Sequence, residues 1–357
     1  MSKRPAADFD DDGSAGKRPR ETGRKKHLYL VLDDWNTGYS IHKVDVGVLC
    51  SGAGPGPGPD APAGPLPEPP ALRLQVSGDH RSTSFAAMGT KIVIVHALYD
   101  DDPRSSAALQ YGFRAAVCIA GRLYALLRHH PWEVMSRAPH RPHADDDHRW
   151  RRRVEEWLWS TVASPPPFPS GAFIAGYAVH PNGRTIFVSA ERRAVQNDPG
   201  TYSFDTESCR WKRHGDWMLP LHGEGLYDGD LDAWVGLSDD GFPCACDIPS
   251  CDGASSLAPA PDWREGKDMV FHKTPNLAAE VALVRMDNGE FCVVEVRPPE
   301  GVDVFAVGDD MRRVLRVSVF RLRYNMAGEL RTRGLRRVAS YLVTKSDRLF
   351  FAEAFWM

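Results

Sequence analysis

Apolar residues in this chain come in short runs, broken at intervals by Gly, Asn, Asp and Pro. Leu28 to Leu32 and Tyr39 to Val46 flank Asn36-Thr37-Gly38. Ala115 to Ala120 and Leu123 to Leu127 flank Gly121-Arg122. Phe173 to His180 and Thr185 to Ala190 flank Pro181-Asn182-Gly183-Arg184. The same form recurs around Asp228-Gly229-Asp230, Asp287-Asn288-Gly289-Glu290 and Asn325-Met326-Ala327-Gly328. Lys91 to His96 (KIVIVH) is a β-branched run by itself. Runs of this length closed by turn residues predict strands joined as hairpins. Helical periodicity is weak, and only Val154 to Val162 reads either way. The count comes to roughly twenty short strands.

The hairpins repeat. Tyr177 to Val188 leads into Tyr202 to Trp211, and Val319 to Leu330 echoes that form near the C-terminus. A unit of four antiparallel strands in about 45 residues matches the length of a propeller blade. Such a unit cannot bury both of its faces alone, so units must stack, and radial closure leaves only short edges. The expected architecture is an all-β, kelch-like propeller of about six four-stranded blades. The apolar C-terminal segment Leu349 to Met357 is expected to complete the closing blade beside Leu28 to Leu32. A tail over residues 1–26 precedes one domain over 27–357, which carries low-complexity loops at 51–70 and 129–148.

Several segments carry a family likeness: YAVHPNGRTIFV (177–188), TYSFDTESCRW (201–211), HGDWMLP (214–220), LDAWVGL (231–237) and HLYLVLDDWNTGYSIHKVDV (27–46). They resemble the plant, mainly grass, kelch-like proteins grouped as domain of unknown function 1618. The resemblance spans residues 27–345 and implies protein–protein binding, as in F-box partners. The kelch double glycine is missing, so the implied blades are degenerate. No three-helix F-box pattern precedes them, so the resemblance does not extend to a ubiquitin-ligase adaptor.

Composition narrows the function. Among 357 residues, 44 Lys+Arg face 47 Asp+Glu, a formal net charge of −3. Any charge-driven role must therefore be local. With 31 Gly and 28 Pro, turns and linkers are plentiful. No segment approaches the roughly 18 apolar residues of a membrane span, and no membrane partner is expected. Seven cysteines form an odd, sparse set unlike a secreted disulfide scaffold. With no signal-peptide core and no glycosylation sequon, a reducing interior is the expected compartment.

The tail sharpens the address. Lys3 and Arg4 precede a short spacer, then Lys17, Arg18 and Arg20, with Arg24, Lys25 and Lys26 behind. Two basic clusters across a flexible acidic spacer resemble a bipartite nuclear import motif read by an import receptor. The expected location is the nucleus, with the cytoplasm as a second compartment. Asp8, Asp10, Asp12 and Gly13 start like an EF-hand loop, but Pro19 stands where Glu would close it, so calcium is rejected there.

Motifs of chemistry are scarce. Nucleophile-elbow, P-loop and zincin patterns are missing, and no catalytic, cofactor or metal residues are assigned. Cys244 and Cys246, with Cys251 and His222 near by, lack the second pair a zinc site needs and read as small buried residues on one strand face. Asp228, Asp230 and Asp232 read as a hairpin turn, as do Asp205 and Thr206. His129, His130, His140, His143 and His148 are irregularly spaced and read as a surface loop. His180 reads as a turn or core histidine. The ten Trp residues read as packing between blades.

The sharpest charge feature runs from Arg312 to Arg337, where many arginines meet one acid, Glu329. Arg321 and Arg323 share one strand face, as do Arg331 and Arg333. If the strands pair, a basic contact ridge forms. The expected function is a non-catalytic scaffold for an unidentified protein partner. Two alternatives stand beside it: a carbohydrate- or small-ligand-binding propeller, enzymatic or not, and a nucleic-acid contact through the 312–337 arginines.

Overall fold

The computed structural model describes residues 26–35, 37–47, 63–76, 83–96, 115–126, 132–137, 157–169, 172–191, 199–251, 258–272, 280–299, 311–345 and 352–357. Its elements are all strands, so the chain is all-β. Val46 and Gly47 are helical but form no element of the fold.

The strands fall into successive antiparallel units. The first combines β1 (Leu28–Trp35), β2 (Gly38–Val44) and β4 (Leu72–Gln75) with β23 (Ala352–Trp356), in the order β23-β1-β2-β4. The second is β5 (Thr83–Met88) with β6 (Lys91–His96). The third runs β7 (Ala115–Ile119), β8 (Arg122–Leu126), β9 (Glu133–Arg137) and β10 (Trp157–Thr161). The fourth runs β11 (Phe173–Val179), β12 (Thr185–Glu191), β13 (Gly200–Asp205) and β14 (Arg210–Gly215). The fifth runs β15 (His222–Asp228), β16 (Ala233–Leu237), β17 (Pro243–Asp247) and β18 (Trp263–Glu265), and the parallel β11–β15 pairing joins it to the fourth in one eight-stranded sheet. The sixth runs β19 (Glu280–Arg285), β20 (Phe291–Arg297), β21 (Met311–Tyr324) and β22 (Leu330–Lys345). β3 (Gly64–Pro65) adds a short parallel edge beside Tyr341 and Leu342.

Turn chemistry closes the hairpins where the sequence places it. Between β11 and β12, the Asn182 side-chain oxygen accepts the Arg184 and Thr185 amides, while Gly183 takes φ +71°. Between β13 and β14, the Asp205 carboxylate accepts the Glu207 and Ser208 amides. Gly38 opens β2 because nothing larger fits, since a Cβ there would stand 1.8 Å from the Leu74 carbonyl oxygen.

Alternate residues of one strand feed two different cores. In β20, Phe291 and Val293 pack toward the fifth unit with Ala233, Val235, Leu322 and Leu330. Their neighbours Cys292, Val294 and Val296 pack toward the first unit with Leu28, Leu30 and Leu32. Such strands are buried on both faces and read as continuous apolar runs. A buried cluster joins each consecutive pair of units. Phe85 meets Tyr39 between the first and second, and Met88 meets Leu123 between the second and third. Trp132 lies 5.5 Å from Phe204 between the third and fourth. Phe187 lies 5.2 Å from Trp234 between the fourth and fifth. The sixth unit returns to the first through Val317, Val319, Leu28 and Leu30.

The C-terminal strand pairs where the sequence reading expects it, with Leu28 opposite Trp356 and Leu32 opposite Ala352. Two expectations are corrected. The segment 129–148 is not all loop, because Glu133–Arg137 is a strand paired on both edges, with Val134 and Met135 packed into cores. The second half of 51–70 is not a detached loop either. Gly64 and Pro65 pair with β22, and Pro67 offers its carbonyl to His42 Nδ1 at 3.0 Å. The ambiguous segment from Val154 resolves as a strand from Trp157 to Thr161.

Candidate functional site

The hairpin β21–β22 is the longest among the described residues, at 14 and 16 residues. β20 pairs with β21 only as far as Phe320, so the remaining residues up to Tyr324 and back from Leu330 overhang the sheet. Leu322 and Leu330 anchor the overhang by burying against the fifth unit. The turn is locked by Asn325, whose side-chain oxygen accepts the Ala327 and Glu329 amides, and by Gly328 at φ +73°.

The opposite face carries the arginines. Arg321 stands directly across from Arg333, and Arg323 across from Arg331. The four guanidinium-bearing residues therefore lie on one face of the hairpin. It is neutralised unevenly. Arg321 and Arg336 share Glu290 at 3.5 and 3.6 Å. Arg331 pairs with Glu329, which also takes Lys267 at 2.9 Å. Hydrogen bonds from Lys267, Asn325 and Arg331 pull the Glu329 carboxyl down to about 2. Among the described residues, Arg323 and Arg333 have no acidic partner, and both are exposed. With Arg321 they line a shallow depression of about 320 Å³.

A β-bulge sets this geometry. Val319 faces Arg336 but Arg321 faces Arg333, so β22 sets two residues, Gly334 and Leu335, against Phe320 alone and carries one extra. Gly334 takes φ +63°, and the bulge brings Arg336 to the same side as Arg333.

A second polar group lies where several units meet, and no pattern in the sequence announced it. Tyr177 on β11 is the register partner of Glu224 on β15, across the one parallel contact between neighbouring units among the described residues. The Tyr177 hydroxyl meets the Ala116 backbone on β7. Glu353 on β23 takes a backbone hydrogen bond from Phe85 on β5. Five units thus converge on three side chains. Burial pushes Glu353 up to about 8, with the Glu224 charge adding to it. Desolvation by the converging strands also pushes Glu224 up to about 7, although the residue as a whole is exposed. Tyr177 is pushed well above its usual range by burial and by both carboxylates.

The remaining candidates have structural roles. Cys244 and Cys246 are fully buried on one face of β17, and burial pushes both thiols up to about 12. The Asp228 carboxylate caps its turn by accepting the Asp230 and Leu231 amides. His180 Nδ1 accepts the Asn182 amide, and its ring stacks on Phe187 at 6.0 Å. Trp132 and Trp234 pack between units, whereas Trp159 and Trp263 are exposed. Lys26, the one residue of the basic tail within the described residues, bonds Asp287 at 2.6 Å. Lys3, Arg4, Lys17, Arg18, Arg20, Arg24 and Lys25 lie outside the described residues, as do His129, His130, His140, His143 and His148.

No curated protein matches the chain. Among solved structures, a triple arginine-to-alanine mutant of AofleA from Arthrobotrys oligospora is 13% identical at a TM-score of 0.29, covering 74% of this chain and 80% of that one. The extracellular domain of BT4673 from B. thetaiotaomicron is 10% identical at 0.25, covering 86% of this chain and 41% of that one. Neither likeness carries an argument about this chain. A family model described as protein of unknown function DUF1668 matches residues 25–341. It is a different group from the domain of unknown function 1618 that the 177–188 and 201–211 segments suggested. The chain belongs to the DUF1668 family.

Proposed function

We propose that the chain is a non-catalytic protein-interaction module built as a degenerate, kelch-like six-unit β-propeller. The closed cycle of buried clusters, from the first unit round to the sixth and back, supports that architecture. β23 supplies a strand to the first unit, which is how a propeller tethers its two ends. The contact face proposed is the overhanging β21–β22 hairpin. The observation that carries it is the exposed, acid-free pair Arg323 and Arg333 on a rigid hairpin whose other face is buried. Fixed cations of this kind steer and orient an acidic partner. The proposed address is nuclear, through the basic clusters of the tail and an import receptor.

The test is quantitative affinity purification of the full-length chain beside an R323E/R333E variant. A stoichiometric protein partner lost on charge reversal supports the reading. No enriched protein, or a set indifferent to the reversal, overturns it. A tail lacking residues 1–25 should leave the chain cytoplasmic by microscopy if the import reading holds.

One observation favours a second reading. Tyr177, Glu224 and Glu353 converge inside the cycle of units, as a small-ligand pocket would require. A sugar and amine panel that raises Tm in the wild type but not in E224Q/E353Q would support it; no shift with any compound would remove it.

A further inference from the structure

We infer that the depression between Arg321, Arg323 and Arg333 is an oxyanion site for a phosphorylated side chain of a protein partner. This inference rests on the interaction-module reading and names the chemistry of that partner.

Like charges directly across an antiparallel pair repel. Here two such oppositions lie side by side, Arg321 with Arg333 and Arg323 with Arg331. Available acids answer only part of that repulsion. Glu290 is divided between Arg321 and Arg336, and Glu329 between Arg331 and Lys267. Arg323 and Arg333 are left without an acid among the described residues. An anion seated between them would supply the missing charge.

The arrangement is built rather than incidental to a loose surface. Leu322 and Leu330 fix the strands from behind, and the bulge at Gly334 turns the side chains of β22. Guanidinium groups present planar forks that match a phosphoryl group bidentately, which a lysine ammonium does not. Two uncommitted guanidiniums match the charge of one phosphate dianion.

The flanking acids decide between a phosphoprotein and a nucleic acid. Glu290 sits at one end of the arginine face and Glu329 at the other. A nucleic-acid backbone would need a longer track of phosphate contacts, and both acids would repel the next phosphates along it. A single phosphorylated residue fits between them.

The experiment measures retention of the full-length chain on four immobilised probes at fixed ionic strength. They are a phosphoserine peptide library with randomised flanks, its unphosphorylated twin, its glutamate twin and a single-stranded oligonucleotide. The expected result is a preference of about tenfold or more for phosphoserine over serine. Inorganic phosphate should compete, and R323Q/R333Q should abolish the preference. R323K/R333K, which keeps the charge but loses the forks, should lose most of it. Both variants change exposed side chains, and a Tm at or above the wild-type value verifies that they fold.

Equal retention of phosphorylated and unphosphorylated peptides overturns the inference, as does a preference that survives R323Q/R333Q. Tighter retention of the oligonucleotide overturns it in favour of nucleic acid. Equal binding of the glutamate and phosphoserine libraries, lost together in the variant, also overturns it but leaves the interaction-module reading standing.

Discussion

Asp228 and Arg285 join the fifth unit to the sixth: the Arg285 Nε donates to Asp228 Oδ2 at 3.0 Å, while Oδ1 of the same carboxylate caps its own turn. One buried side chain thus holds a hairpin and an inter-unit contact together. Asp228→Ala removes both and should cost about 3 kcal/mol in urea unfolding. Asp228→Asn keeps an acceptor for the turn amides and should cost about 1 kcal/mol, with Arg285→Gln adding little in that background. Fully additive losses from the two sites would show that the pair is not coupled.

Deleting residues 352–357 removes β23 and uncovers the edge of β1. Trp356, Ala352 and Ala354 leave the cluster between the sixth and first units at the same time. Thermal unfolding should fall by about 10 °C or more, with self-association on size exclusion, because an apolar edge strand is left open. A monomer of unchanged Tm would mean that the cycle of units does not depend on this strand.

Two opposed titrations shape the pH dependence of stability and overlap between about pH 4.5 and 6.5. Burial raises Glu353 from 4.5 to about 8 and Glu224 from 4.5 to about 7. The folded chain then holds protons that the unfolded chain has released, so stability falls as pH rises from about 4.5 to about 8. Glu224 reaches solvent, so its share is the smaller. Burial, with the Lys212 charge, lowers His214 from 6.5 to about 4. The unfolded chain protonates that histidine first, so stability also falls as pH drops from about 6.5 toward 4. In Tm measured against pH, Glu353→Gln should flatten the alkaline limb and leave the acid limb intact. An alkaline limb identical in that variant would remove Glu353 as its source.

Thiol reactivity should divide sharply. Cys209 is exposed, whereas Cys244 and Cys246 are fully buried with their thiols pushed up to about 12. Native-state alkylation followed by mass spectrometry should mark Cys209 at least about a hundredfold faster than the β17 pair. Comparable rates would show that β17 opens readily.

Hairpins were legible in the sequence because their turns are written in local chemistry. Asn182, Asp205, Asp228 and Asn325 each bond amides within four residues of themselves. That Arg321 shares a face with Arg323, and Arg331 with Arg333, was legible from alternation, but the register that sets Arg321 opposite Arg333 was not. The bulge at Gly334 was not, because an extra residue on one strand leaves no periodic trace. β3 escaped because Gly64 and Pro65 pair through the backbone, in a stretch with no side-chain pattern. Tyr177, Glu224 and Glu353 escaped for a different reason. They stand far apart in sequence and meet only through contacts between units.

The pairing of β23 with β1 sets an order of events during synthesis. The partners of Leu28 to Leu32, between Ala352 and Trp356, emerge from the ribosome more than three hundred residues after them. One edge of the first unit therefore waits, unpaired and apolar, while the residues between the two strands are made. Contacts of such separation are slow to form and exposed to aggregation in the interval. The apolar edge of β1 is therefore left open until β23 has been made.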